Sequence, residues 1–174
     1  SFKVELDGDK VILKNLEEEK GVSVSIADEY LKQLDDPNLD EQSRQFLDQQ
    51  LSAAKQLIET INYRQENLSR LMALIVERQN AFFKHGEVYL EPLLQKEIAS
   101  SLEMSPSTIS RICSSKYVET PYGVILLRNL CPRSHFGKTA VRLEKIIQDL
   151  CFRFPNFSDQ KLVDLLKVEH GIVI

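Results

Sequence analysis

No run of about eighteen apolar residues occurs in the chain, so a membrane-spanning helix is not expected. Nor does a charged start lead into an apolar block, so no secretion signal is expected and the chain reads as a soluble protein. Cysteine is scarce. Cys113, Cys131 and Cys151 are odd in number, lie far apart and form no C-x-x-C pair, and they read as reduced, buried thiols in a cytosolic protein. His85, His135 and His170 are equally scattered, which leaves no metal-ligand spacing. A phosphate-binding glycine loop and a paired nucleophile and base are both missing, and the carboxylates are dispersed, so neither an enzyme nor a bound cofactor is expected. Glycine and proline, six of each, are absent from about Asp40 to His85.

Charge is present but unevenly placed. The net charge of −4 argues against indiscriminate nucleic-acid binding. Residues 1–50 carry 13 Asp and Glu against 6 Lys and Arg, whereas residues 101–153 carry 4 against 8. The acidic end repels DNA and the middle tolerates it, as in a protein that meets different partners with different surfaces.

The stretch from Leu93 to Tyr117 organises the reading. Ile98, Ala99 and Leu102 keep a helical period, a polar break holds Ser105 and Pro106, and Ile109 and Ile112 resume the period. That pattern predicts two short helices meeting at an angle. Ser105 is placed to cap the second helix, with Pro106 at its first position, where a missing N–H costs nothing. Ile109 and Ile112 face inward. The outward face then carries Ser107, Thr108, Ser110, Arg111, Ser114 and Lys116, which are short hydroxyls and two cations with no carboxylate. Such a face suits a phosphate-lined groove, although a helix-turn-helix is also a compact way to meet a protein.

Ahead of this unit, Val4 and Leu6, then Val11 and Leu13, alternate around Asp7-Gly8-Asp9, which predicts a small hairpin or docked arm. Val22, Val24 and Ile26 alternate again before a short helix near Tyr30 and Leu31, and Asp35 to Asn38 form a loop. Phe46, Leu47, Leu51, Ala54, Ile58 and Ile61 make one helical stripe, and Leu68 to Phe83 a second. The polar run Asn62 to Asn67 is expected to divide them into two helices, with Gly86 as the final stop. Arg64, Arg70, Arg78 and Gln79 read as a solvated face by default.

Beyond the opening unit, Tyr117 to Leu127 with a Pro121-Tyr122-Gly123 turn predicts a two-stranded wing, and Arg128 and Arg133 lie just past it, within reach of phosphate or water. Cys131 to Gly137 reads as a linker. A helix through Val141, Leu143, Ile146, Ile147 and Leu150 follows, with Arg142 and Lys145 on a basic side. Phe154 to Phe157 breaks the chain, and Ser158 caps a last helix with Leu162, Leu165 and Leu166 inside. The chain then stops in what reads as the turn of a second helix-turn-helix, which is expected to be a truncation.

These segments taken together resemble a known family. IVERQNAFFKHG from Ile75, Pro92-Leu93, IASSLEMSPSTISR and KYVETPYGV are similar, in that order, to the central region of the enhancer-dependent sigma factor of bacterial RNA polymerase, the sigma fifty-four class. The DGDKVIL stretch, Val24-Ser25-Ile26 with Tyr30, the long helical run with Arg64, and the tail FSDQKLVDLLKVEHGI resemble it too. The resemblance covers nearly the whole chain. STISR followed by KY is its most specific part.

The resemblance implies a non-enzymatic specificity subunit that acts in the cytoplasm, with core RNA polymerase, promoter DNA and an AAA-type activator ATPase as partners of the complete protein. It places core binding in residues 1–130 or so and promoter reading from about 138 onward. The family's glutamine- and leucine-rich activator-responsive segment and its arginine-bearing promoter box are not found here. The expected fold is mainly α: multi-helix domains with a helix-turn-helix-like unit and a short β-hairpin wing. Its expected layout is an arm over 1–40, a helical polymerase-binding domain over 41–130, a linker over 131–137 and the start of a DNA-binding domain over 138–174, in a monomer. Arg64, Arg78, Phe82, Phe83, Tyr117 and Arg128 join the outward face of the second helix, together with Arg142 and Lys145, as candidate partner or DNA contacts, with ordinary core packing the alternative for Phe82 and Phe83 and expected for at least one of them. A free-standing winged-helix regulator of transcription is the alternative.

Overall fold

The structure is a computed structural model, and it describes residues 2–19, 23–34 and 40–173. The predicted loop over Asp35 to Asn38, and Val22 of the expected alternation, lie outside the described residues. Strands β1 (Phe2–Asp7) and β2 (Lys10–Asn15) form the predicted hairpin, and Gly8 at its turn adopts a φ of 59°, which glycine tolerates without a Cβ penalty. Short helices α1 (Leu16–Glu19) and α2 (Asp28–Leu34) follow, and residues 23–27 form no strand.

The expected pair of helices between 40 and 78 is one helix, α3 (Glu41–Arg78). The run Asn62 to Asn67 is polar but holds neither glycine nor proline, so nothing in it releases the backbone; residues 62–66 face water, while Asn67 is buried. The break falls at Gln79 instead, ahead of α4 (Asn80–His85). Gly86 ends α4 with a φ of 94°, a conformation that a side chain rarely adopts.

Contacts divide the chain into two compact units, residues 17–70 and residues 1–16 with 71–174. In the second unit, a 3-10 turn at Glu87–Tyr89 leads to α5 (Gln95–Ser101) and α6 (Pro106–Ser115), the predicted two-helix unit. Strands β3 (Tyr117–Thr120) and β4 (Gly123–Leu126) then make the predicted wing, and a second 3-10 turn covers Leu127–Leu130. The two hairpins are joined: β1 pairs in parallel with β3, Phe2 opposite Val118, giving one sheet of order β2-β1-β3-β4. Phe2, Val4 and Val118 point into a core shared with Leu71, Met72, Ile75, Phe83, Ile98 and Ile109. On the other face, Lys3 bridges Glu5 and Glu119 at 3.0 Å each, and Lys14 meets Glu5 at 2.6 Å.

Helices α7 (Ala140–Arg153) and α8 (Asp159–His170) close a small core of their own, in which Leu150, Leu166 and Ile172 pack with Leu143, Ile146 and Leu162. Thr139 caps α7 by accepting from the Arg142 N–H at 3.4 Å, and its hydroxyl donates to the Leu90 carbonyl at 3.2 Å. Ser158 holds the cap position of α8 without a side-chain capping bond. Gly171 ends α8 in the left-handed region, and its N–H returns to the Lys167 carbonyl at 3.1 Å, as a helix stop demands.

Candidate nucleic-acid interface

The candidate interface is built on the angle between α5 and α6. Ile98 and Ala99 of α5 and Ile109 and Cys113 of α6 are buried against each other's helices and the sheet, while Ile112 is half-buried. This fixes the rotation of α6 about its axis. The connecting turn passes through Glu103 at a φ of 56°, and the Met104 N–H donates to the Ala99 carbonyl at 2.9 Å. Ser105 then caps α6 as its sequence position predicts: its Oγ accepts from the Thr108 N–H at 3.2 Å, and Pro106 follows at the first helical position.

With Ile109 and Cys113 turned inward, Ser107, Thr108, Ser110, Arg111, Ser114 and Lys116 are all exposed. The Ser105 hydroxyl lies 2.7 Å from that of Thr108 and 3.0 Å from that of Ser107, so the start of the helix presents a linked row of hydroxyls. Among the described residues no ion pair engages Arg111 or Lys116. The wing follows directly, with Tyr117 and Val124 exposed and its turn tied by the Thr120 hydroxyl donating to the Gly123 carbonyl at 2.7 Å.

The remaining candidates fall in several places. Arg128 is exposed past the wing, Arg142 and Lys145 are exposed on α7, and Arg64 and Arg78 are exposed on α3. Phe82 and Phe83 are core residues instead of partner contacts: they are 4% and 0% exposed and meet edge to face at 5.1 Å, with the Tyr122 ring 5.6 Å from Phe82. Gln79 does not lie on a solvated face. It is fully buried, its amide donates to the carbonyls of Glu91 and Leu130 at 2.8 and 2.9 Å, and its oxygen accepts from the Glu91 N–H at 2.9 Å. The flanking Arg78 and Asn80 gave no hint of this.

Cys113 and Cys131 are buried as expected, but Cys151 is exposed. The first two thiols, 18 positions apart in sequence, share a hydrogen bond, which with burial pushes the Cys131 thiol well above its ordinary range. The same bond lowers the Cys113 thiol, and burial keeps both sulfurs away from reagents in solution.

In the unit of residues 17–70, the apolar stripe of α3 is only partly covered. Val24, Ile26, Tyr30, Phe46, Leu51 and Leu57 line an open apolar groove, and Phe46 and Leu57 are each 60% exposed. No helix among the described residues is long and apolar enough to cross a membrane.

A helix-turn-helix with a hydroxyl- and cation-bearing second helix and a hairpin wing defines a mainly α protein of the winged helix-turn-helix class. A sequence profile described as "Sigma-54, DNA binding domain" matches residues 44–174. The RNA polymerase sigma-54 factor of Escherichia coli K12 is 37% identical over 139 residues, covering 75% of this chain and 29% of that protein. That of Azotobacter vinelandii is 33% identical over 138 residues, covering 74% and 27%. Aquifex aeolicus sigmaN, solved bound to promoter DNA, is similar in fold with a TM-score of 0.76 and 26% identity, over 99% of this chain and 53% of that one. The chain belongs to the sigma-54 factor family of transcription initiation factors. It spans under a third of the length of these curated relatives.

Proposed function

We propose that the chain docks on core RNA polymerase and contacts promoter DNA through the exposed face of α6, as part of a cytoplasmic initiation factor that an AAA-type activator ATPase remodels. The observation that carries the DNA assignment is the row Ser107, Thr108, Ser110, Arg111, Ser114 and Lys116. Every member is exposed, none is a carboxylate, and among the described residues neither cation is in an ion pair, at a helix rotation fixed by buried Ile109 and Cys113. Phosphate contacts from such residues position a helix in the major groove.

The family resemblance alone put this unit on the polymerase side of a division near residue 130. Two findings favour DNA instead: the profile described as DNA-binding begins at residue 44, and a relative bound to promoter DNA resembles nearly the whole chain. Polymerase docking falls to the open apolar groove of residues 24–58, since exposed aromatic and aliphatic side chains around a groove suit a protein partner.

The test is a size-exclusion titration of the chain against purified core RNA polymerase, with a short promoter duplex as parallel ligand. Association with both supports the proposal. Binding to DNA without polymerase removes the docking role from the groove of residues 24–58, and binding to polymerase without DNA returns the α6 face to a protein interface.

A further inference from the structure

Beside the helix-turn-helix lies a cleft of about 630 Å³, whose polar lining is Glu87, Gln95, Lys96, Arg128, Asn129 and Arg133. Its cations come from three separate elements: Lys96 from α5, Arg128 from the 3-10 turn that packs on α6, and Arg133 from the irregular segment after it. All three are exposed, and among the described residues no ion pair or side-chain hydrogen bond engages their charged ends. The only carboxylate in the lining is that of Glu87; the start of α7 contributes Thr139, Ala140 and Val141, which carry no charge. A surplus of positive charge therefore gathers in one concavity of a chain whose net charge is −4.

Like charges brought together this way repel until an anion enters, and a concave wall focuses their field. Gln95 and Asn129 add neutral amides, which donate to oxygens that a point charge leaves unsatisfied. Planar guanidinium groups beside amides match the tetrahedral oxygens of a phosphate. The first helix of a helix-turn-helix is also the one that crosses the DNA backbone when the second enters the groove.

We infer that this cleft holds a phosphodiester of the DNA backbone, flanking the α6 contact and positioning the chain without reading sequence. The inference rests on the DNA-binding reading of α6 and extends it to Lys96, Arg128 and Arg133. None of the three is needed for the fold, since each is exposed and, among the described residues, unpaired.

The experiment measures the affinity of the 174-residue chain for two short duplexes of unrelated sequence, across salt, beside the variant Lys96→Gln/Arg128→Gln/Arg133→Gln. Each neutralised phosphate contributes about 0.9 to the slope of log affinity against log salt. Loss of the one phosphate held in the cleft is expected to lower that slope by about 0.9 and to weaken both duplexes alike. Between 50 and 200 mM salt, roughly three- to fourfold of the salt sensitivity then disappears. The variant Lys96→Arg, which keeps the charge, retains the parent slope.

If the parent chain binds DNA but the triple variant keeps its affinity and slope, the cleft is not a phosphate site, and the α6 reading stands. Loss confined to one of the two sequences likewise overturns the cleft. A variant that loses core polymerase while its DNA slope is unchanged assigns the cleft to an acidic protein surface and overturns the inference. Failure of the parent chain to bind either duplex removes the α6 reading and this one with it.

Discussion

The Gln79 side-chain amide donates to the Leu130 carbonyl at 2.9 Å, across 51 positions of sequence. The same amide group also donates to the Glu91 carbonyl and accepts from the Glu91 N–H, so a single buried side chain satisfies three main-chain groups. It ties the break after α3 to the segments on either side of the helix-turn-helix and wing. Replacing it by leucine preserves size but strands a donor and two acceptors away from water. Gln79→Leu is expected to destabilise the chain by about 2–4 kcal/mol, read as a lower midpoint in urea. Gln79→Glu, which cannot donate to two carbonyls when ionised, should lose a similar amount at neutral pH and recover part of it in acid. An unchanged midpoint for both variants would show that water replaces the amide.

Arg111 and Lys116 carry the charge of the α6 face; both are exposed, and among the described residues neither is paired. Arg111→Glu/Lys116→Glu is expected to weaken duplex binding by at least tenfold at low salt, because each reversal replaces an attraction for phosphate by a repulsion. Helical content by circular dichroism should not change. Unaltered affinity for both DNA and polymerase would remove this face from either interface.

The cysteines separate by environment. Cys151 is exposed on α7 and is expected to react with iodoacetamide in the native chain, whereas Cys113 and Cys131 react only once the chain unfolds. Mass spectrometry of peptides labelled before and after urea distinguishes the two classes. Native labelling of Cys113 at the rate of Cys151 would mean that α6 opens readily.

The outer face of the sheet gives a pH dependence of defined sign. Hydrogen bonds from Lys14 and Lys3 hold the Glu5 carboxyl below its ordinary value. Its contribution is present above the unfolded-state pKa, near 4.3, and is lost as pH falls through the lower folded value. Lys3 moves the opposite way, raised by its bond to Glu119 and then by Glu5, so its contribution is complete below its unfolded value and lost as pH rises through the folded one. Glu5→Gln is therefore expected to flatten the acid limb of a stability-versus-pH curve and leave neutral stability nearly unchanged, since the pairs are exposed. An acid limb identical to that of the parent would assign the loss to other carboxylates.

Local chemistry made several elements legible in the sequence. Asp7-Gly8-Asp9 between alternating residues specified the first hairpin, Ser105-Pro106 the start of α6, and Pro121-Tyr122-Gly123 the wing, because caps and turns depend on residues within a few positions of one another. The hydroxyl and cation face of α6 followed from its period alone. Family membership was readable as well, since it rests on the order of motifs along the chain.

Tertiary structure decided what depends on residues far apart. That α3 continues through Asn62 to Asn67 shows that polarity by itself does not end a helix: residues 62–66 face water, and Asn67 is buried. That β1 pairs with β3 joins Phe2 to Val118 by backbone bonds to which side-chain patterns are blind. Gln79 looked like a surface amide among polar neighbours, yet its three partners come from Glu91 and Leu130. The cleft of Lys96, Arg128 and Arg133 likewise exists only because the turn after the wing packs beside α5 and α6. Sequence alone determined the short-range geometry of the winged helix-turn-helix and the composition of its outer face; packing determined which polar groups that unit buries and which cations it gathers, since burial and charge convergence are sums over distant contacts.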